Sequence, residues 1–249
     1  MTPQNWNAEQ YKNNASFVSQ LGSPIIELLA PQPKEKILDL GCGEGTLSWQ
    51  IKNYQCDILA IYSSADMIAK AKRKGLNAIV LAAEDLDYSQ QFDAVFSNAV
   101  LHWVSDINLV VDNVYNCLKD RGRFVGEFGG EGNIKAITDA ISQTFADLPH
   151  FGNFDNTWYF PSIEQYQKVL QQVGFEVEFI TLNSRPTFLK SGIESWLKIF
   201  ANGIINHLSI EEQNLFISEV IKRLKPLIFS QDDGWVADYV RLRFKAIKI

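Results

Sequence analysis

Residues 37–48, Ile-Leu-Asp-Leu-Gly-Cys-Gly-Glu-Gly-Thr-Leu-Ser, set an acid and three alternate glycines where an apolar run passes into a helix-forming one. Asp39 stands two residues ahead of Gly41, and Gly43 and Gly45 follow. Glycine permits a tight turn and lets a ligand lie directly against backbone, as in nucleotide-binding strand-to-helix turns. The spacing is G-x-G-x-G with the acid in front, not the G-x-G-x-x-G of dinucleotide enzymes. That arrangement suits a ligand with a positively charged amino group better than a pyrophosphate. Cys42, Cys56 and Cys117 show no C-x-x-C spacing, and His102, His150 and His207 are scattered, so neither a metal centre nor a disulfide framework is expected.

The elements that would position this loop follow from the apolar runs. Strand-length stretches at 36–40, 56–62, 77–82, 92–100 and 122–128 alternate with helix-length segments and lack polar alternation. Such runs predict strands covered on both faces, hence an α/β fold with a parallel sheet and helices on either side. Ahead of them, residues 8–21 and 23–30 read as helices, the second with Ser23 as N-cap and Pro24 at its first position. After residue 130 come helices at 133–148, 162–173 (stopped by Gly174), 194–200 and 209–229. Strands are expected at 175–182 and, continuously, at 235–249. No repeat or long linker divides the chain, so one domain over 1–249 is expected. Its parts are N-terminal helices (1–30), a ligand-binding core (34–130) and a substrate-side region with the last two strands (131–249).

At this point the sequence resembles the class I S-adenosylmethionine-dependent methyltransferases, most of all the branch with trans-aconitate methyltransferase and the malonyl carrier-protein methyltransferase of biotin synthesis. The matching segments run over essentially the whole chain: LDLGCGEG, AEDL, FDAVFSNAVLHWV, LKDRGRFVGEF and FPSIEQYQKVLQQVGFEV. The resemblance implies a Rossmann-like, mostly parallel seven-stranded sheet with a small helical cap on the substrate side. It implies S-adenosylmethionine as cofactor and S-adenosylhomocysteine as product. Gly41, Cys42 and Gly43 would support the methionine part, with Asp39 near its amino group. Ala83 and Glu84 would sit at the adenine, and Asn98 beneath the sulfonium end.

Two positions depart from that pattern. Tyr62, 17 residues after Gly45, occupies the end of the second strand, where relatives place an acid that accepts both ribose hydroxyls. A phenol cannot reproduce a bidentate carboxylate, and losing one charged hydrogen bond of ~1.5–3 kcal/mol would weaken binding by about 10- to 150-fold. Ala82 stands where relatives often place an Asp facing the adenine amino group. Three readings follow: a methyltransferase with an altered adenosine pocket, a converted enzyme such as a cyclase or isomerase that uses no methyl donor, and a non-enzymatic ligand-binding protein. The intact loop, Asp39 and Asn98 favour the first.

On the substrate side, His102 follows the fourth strand and reads as a base, a substrate ligand or a hydrogen-bonded structural histidine. Glu127, ending the fifth strand, reads equally as a site carboxylate or a cap of the next helix. Tyr11, Trp158 and Tyr159 are candidate lid aromatics. Arg185 and Arg241 are candidate forks for a carboxylate substrate, with surface ion pairs as the alternative. A net charge of −6 and a pI near 5.2 argue against a general nucleic-acid or anionic-membrane binder. Neither a leader nor a spanning run is visible, so a cytoplasmic enzyme with a small-molecule partner is expected.

Overall fold

The apolar runs become strands whose successive side chains feed opposite faces of one sheet. In the computed structural model, which describes residues 23–249, β1 (Lys36–Leu40) sends Ile37 into one buried cluster and Leu38 and Leu40 into another. β2 (Asp57–Tyr62) repeats this, with Ile58 and Ala60 on the first face and Ile61 on the second. This two-residue period is the geometry of a strand, and it explains why strands buried on both faces show no polar alternation.

Three helices cover the first face: α1 (Ser23–Leu29), α2 (Thr46–Lys52) and α3 (Ala65–Arg73) supply Ile25, Leu29, Leu47, Ile51 and Ile68 to its cluster. The second face receives Val110, Val111 and Val114 from α4 (Ile107–Cys117), and Tyr166 and Leu170 from α6 (Ile163–Val173). The α6 helix begins in a capping box between Ser162 and Gln165 and ends at Gly174, whose φ of 111° is readily reached only by glycine.

The sheet has seven strands, ordered β3 (Asn77–Val80), β2, β1, β4 (Phe92–Asn98), β5 (Leu118–Gly129), β10 (Val240–Lys248) and β6 (Phe175–Ser184). β3, β2, β1, β4 and β5 pair in parallel, and β10 runs antiparallel to β5. Strand order reverses at β1, the switch point where open α/β sheets bind ligands beyond their carboxyl ends.

Among the described residues, 23–131, Tyr159–Asn183 and Arg241–Ile249 make one compact unit containing this sheet; Gly132–Trp158 and Ser184–Val240 contribute to a second, mainly helical unit. The second holds α5 (Lys135–Asp147), α7 (Gly192–Phe200), α8 (Asn202–Ile205) and α9 (Ile210–Ile228). A small antiparallel sheet of β7 (Thr187–Phe188), β9 (Gly234–Ala237) and β8 (Phe229–Ser230) accompanies them. Phe145 of α5 meets Phe216 of α9 with ring centres 4.6 Å apart.

The continuous strand expected over 235–249 is instead two strands in different sheets. The break has a local cause: Tyr239 N–H bonds back to the Ala237 carbonyl at 3.0 Å, and the Asp238 carbonyl and carboxylate accept from Ile134 N and Ala136 N at 2.9 and 2.8 Å. Backbone committed to a tight turn and to a neighbouring helix start cannot continue the ladder. The helix expected over 8–21 lies outside the described residues. Among the described residues, no helix is long and apolar enough to cross a membrane.

Candidate functional site

The strand period decides where the loop's acid points. Asp39 shares parity with Ile37, so its side chain lies on the α1–α3 face, where Ser48 of α2 donates Oγ–H to its Oδ2 at 2.5 Å. The carboxyl is 2% exposed, and burial pushes its pKa up to about 7 against the lowering effect of Ser48. Asp39 therefore fastens β1 to α2 directly under the loop.

The loop is held by its own backbone. Gly41 N–H and Cys42 N–H both donate to the Ile61 carbonyl at 2.9 Å, and Gly45 N–H donates to the Cys42 carbonyl at 2.9 Å. Its three glycines adopt φ of 87°, 56° and 80°, but they serve different ends. A Cβ on Gly41 would stand 2.2 Å from Val100 Cγ2, and one on Gly45 2.3 Å from Leu76 Cδ1. One on Gly43 would meet nothing within 4 Å. The first and last glycines thus allow close packing, while the middle one leaves bare backbone facing open space at the end of β1. Glu44 is tied outward to Lys74 Nζ at 3.4 Å and to Thr46 Oγ1 at 3.2 Å. Burial, then the nearby Asp39, pushes the Cys42 thiol up, so it remains a neutral wall.

Tyr62 ends β2, half-buried, and packs with Cys42 and Leu28 against the first-face cluster. It pairs in register with Val80, and its carbonyl accepts from Leu81 N at 3.1 Å. Ala83 packs against the second-face cluster. The Glu84 carboxylate accepts from Ser105 N and Oγ at 3.0 and 3.1 Å, and its carbonyl from Asn113 Nδ2 at 2.9 Å. What this stretch offers a ligand is backbone and small side chains, with the Glu84 carboxylate engaged by Ser105.

Across the switch point, Asn98 ends β4 in register with Glu127. Ser97 Oγ donates to the Leu40 carbonyl at 2.9 Å, binding β4 to the end of β1. Ala99 follows with φ of 60°, unusual without glycine, and its N–H donates to the Glu127 carbonyl at 2.7 Å. The turn leads into Val100, whose side chain lies against Gly41.

Glu127 forms an ion pair across the sheet. It is 2% exposed, and its Oε2 accepts from Arg243 Nη2 at 2.6 Å and Nε at 2.8 Å, directly across the β5–β10 ladder. Arg243 was not among the residues expected in the site. Its signal is the alternation of Arg241, Arg243 and Lys245 with apolar residues in the last strand, which puts a row of cations on one side of it.

His102 lies in a short 3₁₀ turn after β4 and is 7% exposed. Its Nδ1 accepts from Gly129 N–H at 3.2 Å, which assigns the remaining ring proton to Nε2. Burial, then the Arg241 charge, holds its pKa well below 6.5. The ring is thus neutral, with Nδ1 accepting and Nε2–H left as a donor. Arg241, 4% exposed, pairs in register with Gly129 at the carboxyl edge of β5. Tyr159 N–H donates to the His102 carbonyl at 3.1 Å, and the Phe160 ring centre is 5.9 Å from that of His102.

The carboxyl edge of the sheet unit thus holds Asp39, Gly41, Cys42, Gly43, Tyr62, Asn98, His102, Glu127 and Arg241, with Tyr159 bound to His102. Trp158 and Arg185 belong to the helical unit, where Trp158 is buried 6.4 Å from the Trp196 ring and Arg185 N donates to the Tyr239 carbonyl at 2.7 Å. Tyr11 lies outside the described residues.

Residues 38–126, from Asp39's strand to Glu127's, match a family profile described as a methyltransferase domain. An uncharacterized methyltransferase of Schizosaccharomyces pombe is 34% identical over 255 residues, covering 98% of each chain. The malonyl-[acyl-carrier protein] O-methyltransferase of Hamiltonella defensa is 27% identical over 59% of this chain and 58% of its own. The trans-aconitate 2-methyltransferase of Deinococcus radiodurans is 30% identical over 47% and 46%. Among solved structures, the YcgJ protein of Bacillus subtilis superimposes with a TM-score of 0.64 at 17% identity over 92% of this chain and 97% of its own. The [4+2]-cyclase SpnF does so at 0.59 and 16%, over 92% and 81%. Likeness at those identities speaks for the fold alone.

Proposed function

The chain belongs to the class I S-adenosylmethionine-dependent methyltransferases, and from that premise we propose that it methylates a small carboxylic acid at oxygen or carbon, with a carboxylate oxygen the acceptor its residues suit best. The cofactor of this family supplies an electrophilic methyl group on a sulfonium. The bare face of Gly43 and the ends of β1 and β4 are the parts of this chain suited to hold it.

The observation that carries the acceptor class is the buried guanidinium of Arg241 at the carboxyl edge of β5, beside a neutral His102 whose lone pair is already used. Guanidinium matches a carboxylate in geometry as well as charge. A carboxylate is also already deprotonated at neutral pH, so transfer to it needs no general base. The chain's work is then to align the acceptor and keep water out. Trans-aconitate, named for one relative, is itself a carboxylic acid.

The test is transfer of labelled methyl from S-adenosylmethionine to a panel of small carboxylic acids and to the matching amides. Base-labile label on the acids alone, lost in Arg241→Gln and partly kept in Arg241→Lys, is expected. Equal labelling of the amides would refute the acceptor assignment. Consumption of a substrate without donor would favour the converted-enzyme reading instead.

A further inference from the structure

We propose that Tyr62 frees cofactor recognition from the ribose hydroxyls, so that the backbone of the glycine loop rather than a ribose clamp supplies the affinity and the pocket accepts donors altered at the 2′ and 3′ positions. This rests on the reading above that the site holds S-adenosylmethionine.

In doubly wound sheets that bind nucleosides, discrimination at the ribose comes from an acid at the end of the second strand. Here that place is occupied by a half-buried phenol ring that packs, as Cys42 and Leu28 do, against the first-face cluster. Its position relative to the loop is set by the residue before it, because the Ile61 carbonyl takes both Gly41 N–H and Cys42 N–H. A ring so placed offers an adenosine a flat apolar surface and, at most, one neutral hydrogen bond.

Three carboxylates at this corner are engaged by neighbours of their own. Asp39 is buried against Ser48. Glu44 is paired with Lys74 and Thr46. Glu84 is held by both donors of Ser105. On the far side, past β3, the chain presents Ala82. Asp66, in the first turn of α3, is exposed and serves as the control.

A neutral hydrogen bond discriminates a hydroxyl from a hydrogen by up to about tenfold, whereas a carboxylate does so by roughly 10- to 150-fold. The experiment is calorimetry of the full chain with S-adenosylhomocysteine and with its 2′-deoxy and 3′-deoxy forms. Dissociation constants within about tenfold of one another are expected, with the spread rising past tenfold in Tyr62→Asp. It should stay unchanged in Tyr62→Phe and Asp66→Asn. Discrimination beyond tenfold in the native chain, its loss in Asp66→Asn, or no gain in a folded Tyr62→Asp would overturn the inference while leaving the cofactor assignment standing. No binding of any of the three ligands would overturn both. The native measurement needs no variant, so a misfolded substitution cannot shield the proposal.

Discussion

Alanine at each position of the glycine loop should separate three roles that a sequence motif presents as one. All three residues sit at positive φ, where a Cβ costs about 1–2 kcal/mol. At Gly43 that is the whole expected loss, since its Cβ would meet nothing within 4 Å. At Gly41 the Cβ would fall 2.2, 2.7 and 2.9 Å from three atoms of Val100. Valine is stiff at χ1, so backbone must move, and overpacking adds about 1–3 kcal/mol. At Gly45 the nearest atom is the flexible end of Leu76, but Ala71 of α3 stands 3.1 Å away, which gives an intermediate cost. For a chain of this size, Gly41→Ala should melt roughly 2–12 °C below Gly43→Ala. Cofactor affinity should run the other way: a methyl group on the bare face of Gly43 should weaken S-adenosylhomocysteine binding by about 5- to 150-fold, the same overpacking energy expressed as a binding ratio. Thermal melts without ligand, paired with calorimetry, read the two effects independently. Native affinity in Gly43→Ala, or a Gly41→Ala melt no lower than that of Gly43→Ala, would refute this division of labour.

The Glu127–Arg243 pair, with its carboxylate buried and its guanidinium partly exposed, predicts that Glu127→Gln costs about 1.5–3 kcal/mol in urea unfolding, and that adding Arg243→Gln recovers part of the loss. A single-variant cost below ~1 kcal/mol would refute a structural pair. Asp39 keeps its proton to about 7 in the folded chain against an ordinary 3.8. Its contribution to stability is therefore full below 3.8 and declines as pH rises to 7, by on the order of 4 kcal/mol. Asp39→Asn should remove that decline, and stability curves for the two proteins that run parallel from pH 5 to 8 would contradict it. His102 behaves oppositely: held neutral when folded, it protonates below about 6.5 only on unfolding, so stability present above 6.5 is lost as pH falls. His102→Gln, which keeps an acceptor for Gly129 N–H, should lose less stability than the native chain between pH 6.5 and 5.

The sheet was legible because its signal is local and redundant. β1 through β5 are apolar runs bounded by helices, and a strand buried on both faces has no other way to look. The last strand was misread for the converse reason: residues 235–249 keep β composition throughout, and the turn at Asp238–Tyr239 is made by bonds to Ile134, Ala136 and Ala237 that no short stretch of sequence displays. The site divides similarly. The glycine loop announces itself by spacing, whereas the partners of its neighbours, Ser48 for Asp39, Ser105 for Glu84 and Arg243 for Glu127, come from other elements. For His102, the hydrogen bond its ring accepts comes from a backbone N–H in β5, which no local pattern displays.

The order of the sheet has a consequence for how the molecule is assembled. β10 comes after β6 in the chain yet lies between β5 and β6. β6 therefore has no neighbour to hydrogen-bond within the sheet until a much later segment has been inserted. The five parallel strands that frame the loop can pair as they emerge, but closing the far edge demands a long-range contact whose entropy is lost before its bonds form. Until then β5 presents an open edge with buried-type residues toward its end, and unpaired edges of that kind are templates for wrong pairing. In pulsed hydrogen exchange during refolding, β10 and β6 should accordingly gain protection after β1, β4 and β5.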